Sequence, residues 1–258
     1  MTAPSWASAA EKRRFALIAL AGFAAAALAL TPADVAAWML KRASPLTAVT
    51  GASGTIWNGR LTGVSHGGVL VGDIGYRLSA LSLLLGRVAV EAESAGGALL
   101  GRARFTFGVG GPEIRDVSAE FNLGAIRQYT FFGVRYQGVA RLKAQRLKLS
   151  DKTCVADAAT LSTSAFEALA DRWSGAPLPL AGAIVCEAGA IVAALDGESA
   201  DGRASVALTI RPDFTYAVRI GAAPRRQDVS RALEAFGFEN KGEGLSYEAA
   251  GVLKGLSS

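Results

Sequence analysis

Apolar and polar residues alternate along several short segments of this chain. In segment 73–80, for example, Ile74, Tyr76, Leu78 and Ala80 are separated by glycine, arginine and serine. Successive side chains of a β-strand point to opposite faces of a sheet, so a period of two predicts strands with one apolar face. Such strands are typical of antiparallel sheets. The segments with alternation are 73–80, 87–93, 102–109, 117–123, 141–149, 203–211 and 214–220.

In one of these segments the alternation changes phase. Leu142 and Ala144 occupy even positions, whereas Leu147 and Leu149 occupy odd positions. An extra residue in a strand moves all later side chains to the other face. We therefore predict a β-bulge near Gln145.

Two short helices are predicted between the strands. Ser164 and Glu167 have the spacing of a capping box, and apolar residues continue at helical spacing to Trp173. A second apolar stripe follows Pro224 and ends near Gly237, a residue type common at helix C-termini. The predicted fold is mostly β, with one or more antiparallel, curved sheets and two short helices.

The beginning of the chain predicts a single transmembrane helix. Lys12, Arg13 and Arg14 precede the apolar run 15–30. Extended as a helix to residue 33, this run rises about 28 Å, close to the ~30 Å hydrocarbon core of a bilayer. Cationic flanks stay in the cytoplasm, so the rest of the chain is expected on the other side of the membrane.

This orientation divides the chain into three parts. We predict a cytoplasmic N-terminus at 1–14, a transmembrane anchor with a juxtamembrane segment at 15–40, and an exported β-rich domain at 41–258. A cleaved signal peptide is the alternative to an anchor. The exported part is predicted as one domain, with two lobes meeting near Ser150 as the alternative.

Composition narrows the class of protein. Of the 258 residues, 51% are hydrophobic and 19% are charged, whereas soluble domains usually have about 25% charged residues. This apolar content excludes an intrinsically disordered chain. The net charge of +5 is a mild basic excess without the concentrated patch or module of a nucleic-acid binder, so no nucleic-acid partner is expected.

Cys154 and Cys186 are the two cysteines of the chain. In an oxidising compartment such a pair is most simply a disulfide. Two unpaired structural thiols are the alternative. The wide spacing and the distant histidine do not form a zinc motif.

The sequence offers little material for catalysis. His66 is the single histidine, and it lies in a turn-like stretch without a nucleophile-elbow pattern. Glu91 and Glu93 are a carboxylate pair on the polar side of a predicted strand. The chain contains no P-loop and no dinucleotide-binding glycine pattern. We predict no catalytic residues, no metal site and no cofactor.

A cluster of cations is a candidate contact surface for membrane phosphates or an acidic partner. A solvated strand face is the alternative interpretation. The cations are Arg141, Lys143, Arg146 and Lys148.

Several short motifs resemble those of the type II secretion system protein N family. The first is Gly-Thr-Ile-Trp-Asn-Gly at 54–59, and the second is the segment 76–88, where tyrosine and alanine replace the family's tryptophan and proline. The two cysteine segments and the C-terminal tail at 231–251 resemble the same family. The resemblance extends over essentially the whole chain, and its motif or packing residues are Gly54, Trp57, Gly59, Tyr76, Leu83 and Gly86.

This resemblance implies an accessory component of the type II secretion machinery, anchored in the inner membrane with its bulk in the periplasm. The expected partners are inner-membrane platform proteins, with the secretin as a further candidate, and inner-membrane lipids. The expected role is structural and non-catalytic. One alternative is a periplasmic lipid carrier with a groove lined by apolar strand residues, and another is a periplasmic enzyme that uses His66 or a pair of acidic residues. The groove residues would be Ile74, Leu78, Phe105, Phe107 and Phe121.

Overall fold

The computed structural model describes residues 9–109, 111–125, 130–131, 134–135, 137–150, 153–167, 175–242 and 244–252. Four α-helices are described in these ranges. They are α1 (Ala9–Ala29), α2 (Asp34–Ala43), α3 (Ala80–Leu84) and α4 (Gln227–Ala235). A short 3-10 helix follows at Leu123–Ala125.

Most of the described chain is β-structure. The strands are β1 Thr47–Ala48, β2 Gly51–Gly54, β3 Asn58–His66, β4 Val69–Leu78, β5 Val88–Gly96, β6 Leu99–Phe107, β7 Glu113–Asn122, β8 Thr130–Phe131 and β9 Val134–Arg135. They continue with β10 Val139–Ser150, β11 Thr153–Asp157, β12 Ala159–Thr163, β13 Leu180–Glu187, β14 Ala190–Ser199, β15 Gly202–Ile210, β16 Thr215–Pro224, β17 Glu239–Asn240 and β18 Leu245–Val252.

Sixteen of the described strands form one antiparallel sheet. Its order is β1-β3-β4-β5-β6-β7-β10-β12-β13-β14-β15-β16-β18-β17, with β2 on β3 and β11 on β10. Strands β8 and β9 form a separate pair. The prediction of a mostly antiparallel β-fold is confirmed, and the sheet is accompanied by a few short helices.

The predicted helices have different outcomes. The helix after Pro224 is α4, and Gly237 lies just beyond it with a φ of +89°. The helix predicted to continue to Trp173 lies largely at 168–174, outside the described residues. The strand predicted through Ala80 was wrong at its end, because β4 stops at Leu78 and α3 begins at Ala80. The hydroxyl of Ser79 accepts a hydrogen bond from the Ser82 N–H and so caps the start of α3.

Helix α1 presents its apolar side chains to its surroundings. Phe15, Ile18 and Phe23 are 69%, 68% and 73% exposed. Among the residues described, no helix combines the length and the apolar character that a membrane crossing requires. The transmembrane helix therefore stays a prediction.

Strand β10 contains the predicted change of phase, but the predicted β-bulge was wrong, because β10 keeps one register with each neighbour on both sides of Gln145 and so has no extra residue there. Leu142 and Leu147 lie five residues apart, yet both pack against the same core cluster. Gln145 lies between them and is skipped in the described pairing with both neighbours. At the matching positions, Asp116 and Ala158 have positive φ angles of 51° and 45°. The irregularity thus crosses three strands, and all three keep the same register beyond it.

One face of the sheet carries the main hydrophobic core. Its members come from β7 to β15, and Leu180 is the most deeply enclosed with 1% exposure. A second cluster lies where α2 packs on β3, and a third lies between α4 and β18. The buried residues of the main core are Val117, Ala144, Ala159, Leu180, Ile184, Ala193, Leu195 and Ala204.

The two ends of the sheet, along the direction of its strands, can be told apart by what lies at each end of β3 and β4. Trp57 precedes β3, and the N–H of Leu78, which closes β4, donates to the Trp57 carbonyl across 2.8 Å. We call this the α1 end, because the Trp57 side chain also contacts α1. The turn at Gly67 joins β3 to β4 at the opposite end of these strands, which we call the far end.

Candidate interaction surfaces

The Gly54–Gly59 motif forms the tight turn between β2 and β3. Gly54 pairs with Gly59, and the Thr55 N–H donates to the Asn58 carbonyl across 3.0 Å. Outside the turn, the Ile56 N–H donates to the carbonyl of Thr31 across 2.8 Å. Because Thr31 lies between α1 and α2, the motif joins the sheet to the N-terminal helices.

Tyr76 explains why glycine is needed at position 59. A Cβ on Gly59 would lie 2.7 Å from the Tyr76 Oη and 2.8 Å from the Ser53 carbonyl oxygen. The Tyr76 hydroxyl donates to the Thr55 carbonyl across 2.9 Å and so holds the motif turn from the next strand. Burial raises the pKa of Tyr76, and the Asp34 carboxylate raises this pKa further.

Trp57 connects the motif turn to the end of α1. Its indole Nε1–H donates to the carbonyl of Leu28 across 2.8 Å. The last turn of a helix has carbonyl groups without partners inside the helix, and the indole satisfies one of them. Trp57 therefore fixes the end of α1 against the sheet.

The second motif segment forms α3 and the turn after it. Gly86 has a φ of +69°, which favours glycine, and its N–H donates to the Leu83 carbonyl across 3.0 Å. The Arg87 N–H then donates to the Ser82 carbonyl across 2.9 Å. Leu83 is 38% exposed, so the motif leucine lies at the surface of the loop.

The four cations of the candidate basic surface lie on β10. Arg141 pairs with Glu120 at 2.7 Å, and Arg146 pairs with Asp157 at 2.8 Å. Lys143 and Lys148 form no ion pair with the residues described. Two of the four charges are thus neutralised by neighbouring strands, which leaves the lysines as the positive part of this surface.

Cys154 and Cys186 form the predicted disulfide, with their Cα atoms 5.8 Å apart. The bond joins β11 to β13. These strands flank the point where the described pairing of β12 with β13 ends at Ala159 and Ile184. The disulfide therefore holds the sheet together where its hydrogen-bonded ladder stops.

The residues considered for catalysis are spread over the sheet. His66 ends β3 at the far end, where its Nδ1 lies 3.0 Å from the Thr47 hydroxyl. Glu91 forms an ion pair with Arg104 at 2.6 Å. Among the described residues, no group of three His, Cys, Asp or Glu side chains has an arrangement that could hold a metal ion.

The apolar side chains considered for a lipid groove lie on β4, β6 and β7. Ile74, Leu78, Phe105 and Phe121 are half-buried, and Phe107 is 48% exposed. Full burial is concentrated instead in the core from β7 to β15.

The two edges of the sheet differ in their protection. One edge is broken into β1 and β2, with two and four residues, and α2 packs beside it. The other edge is the eight-residue strand β18. Strand β17 covers only Leu245 and Ser246. Among the residues described, no strand pairs with the outer side of 247–252.

A comparison with known protein families identifies the family to which this chain is related. Residues 45–246 match the family model described as type II secretion system (T2SS), protein N. The chain belongs to the type II secretion system protein N family. Neither the search of curated proteins nor the search of solved structures returns a match.

Within the T2SS protein N match lie the motif turn, α3 and both cysteines. Helices α1 and α2 precede the matched range, and the uncovered part of β18 follows it. Membership in the T2SS protein N family indicates a role in type II secretion. It also implies contacts with other components of the secretion system.

Proposed function

We propose that this chain is a non-catalytic component of the type II secretion system, anchored in the inner membrane by α1. Its sheet lies in the periplasm and docks other secretion components. The candidate partners are the inner-membrane platform proteins and the secretin. The observation that carries this proposal is the uncovered outer edge of β18.

An uncovered edge strand offers a row of backbone donors and acceptors to another strand. Residues 247–252 present such a row, and Ala250 and Val252 are exposed on the same strand. The opposite edge is short and broken, so it gives a partner strand less to pair with. The β18 edge is therefore the docking surface that the fold favours.

Two further features support the proposed orientation. Lys12, Arg13 and Arg14 precede the apolar part of α1, as expected for a helix whose N-terminus stays in the cytoplasm. The Cys154–Cys186 disulfide is stable in an oxidising compartment such as the periplasm.

A photo-crosslinking amino acid placed at Ala250 tests the docking edge. Thr160 is the matched control, since it is exposed on β12 but its strand is paired on both sides. The full chain is crosslinked in native membranes, purified in mild detergent and analysed by mass spectrometry. We expect secretion components to crosslink at Ala250 and not at Thr160.

Equal crosslinking at the two positions would contradict docking through the edge. Recovery of stoichiometric phospholipid without any secretion component would contradict the proposal as a whole and favour the lipid carrier.

A further inference from the structure

Two neighbouring loops at the α1 end of the sheet form an exposed apolar surface, which we call the apolar tip. The first loop contains α3, and the second joins β6 to β7. The large apolar side chains of the tip are Leu81 (69% exposed), Leu84 (85%), Leu85 (71%), Val88 (38%), Phe107 (48%) and Val109 (108%).

The two loops lie side by side. Val88 and Phe107 are partners in the β5–β6 register. Beyond this pair, Arg87 Cγ would lie 3.4 Å from a Cβ placed on Gly108. The two loops therefore bring their exposed apolar side chains to the same end of the sheet, and exposed apolar side chains gathered in this way mark an interaction site.

The fold places the apolar tip next to the end of α1. The Trp57 indole donates to the Leu28 carbonyl, and the Leu78 N–H donates to the Trp57 carbonyl, each across 2.8 Å. Helix α3 begins two residues after Leu78. Two hydrogen bonds therefore connect the last turn of α1 to the strand that carries the tip.

We propose that the apolar tip inserts into the same bilayer surface from which α1 emerges, as a second membrane contact. This inference rests on the proposed anchoring by α1. The sequence predicts a span of about 28 Å that reaches residue 33, but α1 ends at Ala29, so its apolar part 15–29 rises about 22 Å and is shorter than the ~30 Å hydrocarbon core. A bilayer thins locally around a short span, which keeps the attached domain close to the membrane surface, and the tip lies at the end of the sheet next to α1.

The charge of the tip fits an anionic lipid surface. Arg87 is the one charged residue in the sequence from 78 to 88, and the sequence from 105 to 112 contains none. A cation beside exposed leucines suits the boundary between lipid headgroups and acyl chains. Trp57 lies at the same level, where interfacial aromatic residues are common.

Fluorescence in vesicles tests the second contact. The two natural cysteines form a disulfide, so a new cysteine can be labelled selectively with an environment-sensitive dye. The full chain is reconstituted into phosphatidylethanolamine–phosphatidylglycerol vesicles as Leu84→Cys, Leu70→Cys or Leu20→Cys. Leu70 is the matched control, because it is 56% exposed near the other end of β4. Leu20 reports on α1.

We expect blue-shifted emission, quenched by lipid-attached quenchers, from the dyes at Leu84 and Leu20, and water-like emission at Leu70. Lipid-like emission at Leu20 with water-like emission at Leu84 would overturn the second contact and leave the anchor intact. Water-like emission at both Leu20 and Leu84 would overturn the anchor proposal together with the inference.

Discussion

At the scale of single residues, the Tyr76 side chain packs closely against Gly59 and stabilises the motif turn. The Tyr76 ring and the Ser53 carbonyl leave no room for a Cβ at position 59. The Tyr76 hydroxyl donates a hydrogen bond to the Thr55 carbonyl, and the Trp57 indole connects the same turn to α1 by a hydrogen bond to the Leu28 carbonyl. The motif therefore acts in packing, where it joins the sheet to the N-terminal helices.

Replacement of Gly59 tests this fit. Because part of the obstruction is backbone, Gly59→Ala should lower the free energy of unfolding by about 1–3 kcal/mol, the usual cost of overpacking. Chemical denaturation of the full chain in detergent measures the loss. In Gly75→Ala, the matched control, the nearest atom to the new Cβ is the Glu93 carbonyl oxygen at an ordinary 3.8 Å. Equal stabilities of the two variants would contradict the packing explanation.

At the scale of elements, the disulfide replaces hydrogen bonds that the sheet does not make. Strand β13 pairs with β12 only as far as Ala159 and Ile184. Beyond that point the segment beside β13 is β11, which precedes β12 in the sequence and is separated from it by Ala158, a residue with a positive φ. The Cys154–Cys186 bond joins β11 and β13 beyond that point. It therefore links β11 to β13 at the point where the described pairing of β12 with β13 has ended.

Removal of the disulfide should be costly. The double variant Cys154→Ala/Cys186→Ala should lose about 3–4 kcal/mol of unfolding free energy, from the chain entropy of the opened loop. Equilibrium denaturation measures this loss. A reductant should destabilise the natural chain and leave the double variant unchanged. A natural chain that is insensitive to reductant would show that the bond adds no stability.

The alternation of apolar and polar residues predicted the strands well, but it predicted the ends of the strands and the helices between them less well. Alternation located the body of β4, and the change of phase located the irregularity at Gln145. Helix α3 was missed because Ala80 continues the apolar phase of the preceding strand, while the Ser79 cap that ends the strand resembles any polar strand residue. The order of the strands and the uncovered edge were beyond prediction, because they depend on pairings between residues far apart in sequence.

At the scale of the whole molecule, exposed ion pairs join strands that lie side by side in the sheet. The Glu198 carboxylate contacts Arg203 and Arg225, and Glu248 contacts Arg219 and Lys241. The hydrogen bond and charge of Arg203 hold the pKa of Glu198 below its ordinary value, with a smaller effect from Arg225. Arg219, followed by Lys241, lowers the pKa of Glu248 in the same way.

These lowered pKa values predict a dependence of stability on pH. A carboxylate with a lowered pKa in the folded state stabilises the fold above its unfolded pKa, and this contribution is lost as the pH falls through the folded value. Thermal unfolding should therefore shift to lower temperature below about pH 4.3, the ordinary glutamate pKa. In the variant Glu198→Gln/Glu248→Gln, the unfolding temperature should decrease less than in the natural chain as the pH falls below this value.

Glu234→Gln is the control for this pH series, since Glu234 is exposed on α4 and forms no ion pair with the described residues. It should follow the natural chain. If the double variant follows the natural chain as well, the two glutamates do not contribute to the acid sensitivity.

The two edges of the sheet differ, and this difference limits how many further strands the sheet can add. A sheet with two open edges can add strands without limit, as fibrils do. Here one edge is broken into β1 and β2, and the other is the largely uncovered β18. Among the residues described, β18 is the long, largely uncovered strand at a sheet end, so two copies paired through β18 would each keep only the broken edge at the other end, and the pairing would terminate as a dimer. Self-pairing and the binding of a partner strand then compete for the same six residues, 247–252, and concentration decides between them.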